Sequence, residues 1–146
     1  MFKKILENVI NQPPLVHSIT NYVTVNDCAN IVLACGGAPI MADDINEVED
    51  IISICNALVI NIGTLNERTV AAMIKAGKKA NSLGRPVILD PVGAGASTLR
   101  TDTVFKLLEE VQFSVIRGNV SEIKTIAQGS GTTKGVDADI SDAVNE

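Results

Sequence analysis

Positive charge is scarce and unclustered in this 146-residue chain: 12 Lys and Arg stand against 17 Asp and Glu, a net charge of −5. Nonspecific nucleic-acid binding and attachment to anionic membranes both rest on clustered basic residues, so neither is expected. Long apolar runs are missing too. Stretches such as Ala57 to Ile60 and Pro86 to Leu89 fall far short of the roughly 20 residues that cross a bilayer, which predicts no membrane span. Met1-Phe2-Lys3-Lys4 would suit the start of a signal peptide, but Glu7, Asn8, Asn11 and Gln12 interrupt the apolar stretch that should follow. A cytoplasmic protein is the expectation, and the Asn119-Val120-Ser121 glycosylation pattern carries no weight there.

Cysteine frameworks are also absent. Cys28, Cys35 and Cys55 are odd in number and show no Cys-x-x-Cys spacing, which argues against a disulfide scaffold or a zinc knuckle. All three sit among apolar residues and are expected to behave as small buried hydrophobes rather than to join His17, the single histidine, in a Cys3His site. No internal repeat or low-complexity stretch occurs, and no Walker A pattern, since Lys134 lacks the glycine that should precede it.

What is present is the composition of one globular domain, 46% apolar and 20% charged. Ala57–Ile60, Pro86–Leu89 and Phe113–Ile116 are continuously apolar and read as strands covered on both faces. Segments of helical period separate them: Val70, Met73, Ile74 and Gly77, closed by Gly84 and Pro86, then Val104, Leu107, Leu108 and Val111. Upstream, Ile45, Val48, Ile52 and Cys55 mark an amphipathic helix whose acidic face is solvated. Asn26 to Ala34 is a further helix, stopped by Gly36-Gly37. Ser141 is available as the cap of another. Strand and helix alternate, so the fold class is α/β with a mainly parallel sheet and right-handed crossovers.

In such sheets ligands bind beyond the carboxyl ends of the strands. There the three runs lead into Asn61-Ile62-Gly63-Thr64, Asp90-Pro91-Val92-Gly93-Ala94-Gly95-Ala96-Ser97, and Arg117-Gly118-Asn119-Val120-Ser121-Glu122. The loop of minimal side chains from Gly93 to Ala96 reads either as a phosphate cradle or as a tight turn. It fails as a dinucleotide fingerprint, because Thr98 stands where the third glycine belongs. Asp90 and Glu122, carboxylates at adjacent strand ends, suit Mg²⁺ with substrate phosphates and water. Taken singly, they read as a turn-forming Asp before Pro and a Glu favoured by a helix dipole. Arg117 adds a fixed positive charge suited to nucleotide phosphates.

Together with His17-Ser18-Ile19-Thr20-Asn21-Tyr22-Val23-Thr24 and Pro39-Ile40-Met41-Ala42-Asp43, these strings resemble hydroxyethylthiazole kinase, of the ribokinase-like fold group, from the first residues to about Ala138. The resemblance implies a three-layer α/β/α domain of which residues 1–146 form the N-terminal portion. It implies transfer of the ATP γ-phosphate to the hydroxyl of 4-methyl-5-(2-hydroxyethyl)thiazole in thiamine biosynthesis, with Mg²⁺ and a homotrimeric assembly. Met41, Asn21 and Gly63 fall at substrate-binding positions, Arg117 and Asn119 at nucleotide-binding positions, and Asp90 and Glu122 at magnesium and phosphate positions. Family members are roughly twice this long. The anion hole and the catalytic residue beside the attacking hydroxyl are therefore expected beyond Glu146, and His17 is expected to be structural. A thiazole-binding module without turnover and a kinase for another small alcohol stay open as alternatives.

Overall fold

The computed structural model describes residues 2–129 together with 133–134 and 137–138. Helix α1 (Phe2–Asn11) precedes five strands that alternate with helices: β1 (Leu15–Ile19), α2 (Val25–Ala34), β2 (Ala38–Met41), α3 (Val48–Ile54), β3 (Ala57–Asn61), α4 (Glu67–Ser82), β4 (Val87–Asp90), α5 (Thr98–Glu110) and β5 (Val115–Ile116). Helix α6 (Val120–Gln128) and the short strands β6 (Thr133–Lys134) and β7 (Asp137–Ala138) follow. The five-stranded sheet has the order β2-β1-β3-β4-β5, and every pairing in it is parallel. β6 and β7 pair antiparallel in a separate ribbon.

The chain steps one way from β1 to β2 and the other way from β3 onward. With right-handed crossovers, that reversal places α2 on one face of the sheet and α3, α4 and α5 on the other. Three layers result, as expected from the sequence. The reversal also opens a crevice where β1 and β3 part at their carboxyl ends.

Packing is concentrated under α3, α4 and α5. Leu58, Ile60, Val87 and Leu89 are fully buried there against Val48 and Ile52 of α3, Met73 and Ala76 of α4, and Leu107 of α5. Each such side chain contributes about 1.5–3 kcal/mol through burial. The intervening Val59 and Ile88 point to the other face and are only half-buried. Coverage on both faces is thus unequal among the described residues. Helix α4 begins at a capping box, in which the Asn66 side chain accepts from the Thr69 amide and the Thr69 hydroxyl answers to the Asn66 amide. At Gly77 a Cβ would lie 2.6 Å from Val111 Cγ2, so the missing side chain lets the end of α5 close onto α4.

Several boundaries differ from the sequence pattern. The acidic helix starts at Val48, not Ile45, because Asp44 turns the chain first: its carboxylate accepts the Asn46 amide at 2.9 Å and its carbonyl accepts the Val48 amide at 3.1 Å. Cys55 lies just past that helix and is buried, whereas Cys28 is half-buried and Cys35 exposed, so only one cysteine is the expected core residue. β5 is shorter than Phe113–Ile116, and its Val115 is 51% exposed. β1 was hidden by its polar His17-Ser18, and β2 by Pro39, which is tolerated because β2 is an edge strand. The helix start at Ser141 lies outside the described residues. Among those residues, no helix is long and apolar enough to cross a membrane.

Candidate functional site

The carboxyl ends of β1, β3, β4 and β5 are joined by a chain of side-chain hydrogen bonds. Asn61 and Asp90 are register partners across β3 and β4, so their side chains project to the same face. Asn61 Nδ2 donates to Asp90 Oδ2 at 3.1 Å, while Asn61 Oδ1 accepts from Asn21 Nδ2 at 3.1 Å and from the Gly63 amide at 2.9 Å. The three contacts fix the orientation of the Asn61 amide. Asn21 Oδ1 in turn accepts the Val23 and Thr24 amides, each at 3.0 Å, and shapes the turn into α2. At the far end, Arg117 Nη1 donates to Asp90 Oδ2 at 2.8 Å.

Two clefts flank this chain. The larger, about 670 Å³, lies in the crevice between β1 and β3 and is walled by Asn21, Asn61, Gly63, Asp90, Val92 and Arg100, among others. The smaller, about 360 Å³, is lined by Asp90, Val92, Arg117, Gly118, Asn119 and Glu122. Asp90 and Val92 belong to both and form the partition between them. Burial pushes the Asp90 carboxyl above its ordinary value, and Arg117 and the Asn61 hydrogen bond partly offset that rise. Both donors reach Oδ2, which leaves Oδ1 without a protein partner among the described residues.

Glu122 is built into the frame. Its Oε1 accepts the Gly93 amide and its Oε2 the Asn119 amide, both at 2.8 Å, and the Asn119 side chain returns a contact to the Glu122 amide at 2.9 Å. That is the capping box of α6, and it leaves Glu122 only 4% exposed. Gly118 must be small because a Cβ there would lie 2.8 Å from Glu122 Oε2. The helix-dipole reading of Glu122 is therefore part of its role.

The loop from Gly93 to Ala96 resolves as a tight turn. Its amides donate in order to Glu122 Oε1, the Pro91 carbonyl, Thr101 Oγ1 and the Gly93 carbonyl, at 2.8, 2.9, 3.0 and 2.9 Å. An open phosphate cradle needs such donors unengaged, so of the two readings the geometry favours the turn. Glycine is needed here for backbone reasons: φ is +74° at Gly93 and +90° at Gly95.

Of the residues expected to bind the alcohol, Asn21 and Gly63 share the larger cleft. Met41 does not line it. It ends β2, beyond β1 from the crevice, and is half-buried. Arg117, Asn119, Asp90 and Glu122 share the smaller cleft. His17 is fully buried in β1, where Nε2–H donates to the Ala42 carbonyl at 2.7 Å, directly after Met41. Burial lowers its pKa, with the Ala42 hydrogen bond and Glu47 opposing. Among the described residues no three His, Cys, Asp or Glu side chains gather in a metal-binding group. Sequence reasoning missed Asn61 as the central link and Arg100 altogether. A polar residue ending a buried strand was the available signal for the first; for Arg100, inside an amphipathic helix, there was none.

Comparison with known proteins agrees with this architecture. The sequence model of the hydroxyethylthiazole kinase family matches residues 6–145. A hydroxyethylthiazole kinase of Clostridium acetobutylicum is 68% identical over 146 residues, which is 100% of this chain and 54% of that protein. One from Clostridium tetani is 60% identical, covering 99% of this chain and 54% of its own length. The solved structure of the hydroxyethylthiazole kinase protein from Pyrococcus horikoshii OT3 superposes with a TM-score of 0.81 at 44% identity, over 84% of this chain and 48% of that one. The chain spans about half the length of the curated relatives it matches. With the family matched along nearly all of its sequence and the same fold found in a solved relative, the chain belongs to the hydroxyethylthiazole kinase family.

Proposed function

We propose that the whole protein transfers the ATP γ-phosphate to the hydroxyl of 4-methyl-5-(2-hydroxyethyl)thiazole in thiamine biosynthesis, a reading supported by relatives of about twice this chain's length that are named hydroxyethylthiazole kinase. The observation that carries this reading is the pair of clefts divided by Asp90 and Val92. Phosphoryl transfer needs acceptor and nucleotide held side by side with charge stabilisation between them, and two clefts with a common carboxylate wall have that layout. The larger takes the alcohol against Asn21 and Gly63, while Met41, at the end of β2, stands outside that cleft. The smaller takes the nucleotide phosphates against Arg117 and Asn119.

Mg²⁺ belongs to the same reading and, when bound, neutralises charge on the transferring group. Asp90 fits as its ligand because Oδ1 accepts no protein hydrogen bond among the described residues. Glu122 fits as the adjacent negative charge, since both its oxygens already accept backbone amides but retain lone pairs. Asn61 and Arg117 hold the Asp90 carboxylate in place while the phosphates are bound. No described residue of this chain is assigned the catalytic role beside the hydroxyl.

A cytoplasmic location and a homotrimer complete the proposal. What supports assembly is the apolar surface on α1 and α2, where Phe2 is 80%, Ile10 74% and Ile31 61% exposed. The decisive experiment supplies the full-length protein with the thiazole alcohol and MgATP. Alcohol-dependent ADP formation is expected, residues 1–146 alone should form none, and a full-length protein that makes no ADP overturns the reading.

A further inference from the structure

The larger cleft contains a guanidinium that no sequence string accounts for. Arg100 lies in the first turn of α5, half-buried, and its own amide is capped by Ser97 Oγ at 3.3 Å. Its Nη2 donates to the Gly63 carbonyl and its Nη1 to the Val92 carbonyl, both at 2.7 Å. One side chain therefore ties the loop after β3 to the loop after β4. The Gly63 peptide is held from its other side as well, since its amide donates to Asn61 Oδ1 at 2.9 Å.

Two neighbouring glycines are shaped around these contacts. A Cβ on Gly93 would run into Arg100 Nη1, and a Cβ on Gly63 would lie 2.8 Å from Asn21 Cβ. Among the described residues no carboxylate forms an ion pair with Arg100. Its planar fork is thus committed to two carbonyls, an arrangement that fixes a distance between loops.

We propose that Arg100 is a positioning residue for the acceptor alcohol: by clamping Gly63 and Val92 it holds two walls of the larger cleft at the separation in which a small flat alcohol seats. This rests on the kinase reading above. It acts chiefly on the alcohol side, because Arg100 and Gly63 line the larger cleft and neither lines the smaller, while Val92 borders both.

The test compares full-length wild type with Arg100→Gln and Arg100→Lys by steady-state kinetics and by hydrogen–deuterium exchange of residues 61–66 and 92–97. Arg100→Gln should raise KM for the alcohol by about tenfold or more while KM for MgATP stays within about twofold. Exchange should quicken in both segments. Arg100→Lys, able to reach one carbonyl, should lie between. Equal rises in both KM values, an unchanged alcohol KM, or unchanged exchange in both segments would overturn the proposal. Should wild type phosphorylate no alcohol, the kinase reading fails, and the exchange comparison by itself then decides whether Arg100 positions these loops. If Arg100→Gln does not fold, Arg100→Lys provides the same comparison.

Discussion

Arg117 meets Asp90 at 2.8 Å across the ends of β5 and β4, and the two partners differ sharply in burial: the arginine side chain is 76% exposed and the aspartate 18%. The pair therefore joins a solvated cation to a carboxylate fixed from within the fold by Asn61. Most of the structural consequence should lie on the inner side of that contact, and most of the binding consequence on the outer side.

Asn61→Ala should test the inner side. It removes the contacts to Asn21, Gly63 and Asp90 together, and leaving buried polar partners unmatched costs about 1–3 kcal/mol. Arg117→Ala should change stability by no more than about 1 kcal/mol, because the arginine half of the pair is solvated. Urea unfolding of the two variants gives the comparison, and an Arg117→Ala loss as large as that of Asn61→Ala would contradict this division.

His17 should make stability depend on pH in the mildly acidic range. Its pKa is lowered below the ordinary 6.5 by burial, so the unfolded chain binds the proton more readily than the folded one. The sign follows from linkage: stability is full above 6.5 and declines as pH falls below it toward the folded value. The slope should not exceed about 1.4 kcal/mol per pH unit for one proton. His17→Gln, which keeps an amide donor for the Ala42 carbonyl, should flatten this part of the profile. Thermal melts over a pH series would show it, and an unaltered slope in the variant would rule His17 out as its source.

Glu122 should be as important to folding as to chemistry. Glu122→Gln replaces one acceptor oxygen by an N–H₂ facing the Gly93 or Asn119 amide, and losing a charge-assisted contact costs about 1.5–3 kcal/mol. Chemical denaturation should therefore report a lower midpoint even without nucleotide or metal. A variant as stable as wild type would mean that the carboxylate serves only ligands.

The sequence by itself determined the alternation of buried strands and amphipathic helices, because short continuous apolar runs and a repeat of about four residues are both read locally. It also determined which residues stand at strand ends, including Asp90, Arg117 and Glu122. Only the tertiary structure decided that the strand order reverses between β2 and β3, which depends on long-range packing and opens the crevice occupied by Asn21 and Gly63. It likewise decided that the Gly93 to Ala96 amides are already engaged, that Met41 stands outside the larger cleft, and that Arg100 spans 37 residues of sequence to reach Gly63. A hydrogen bond between distant segments leaves no periodic trace in either one, so only the assembled sheet brings such partners together.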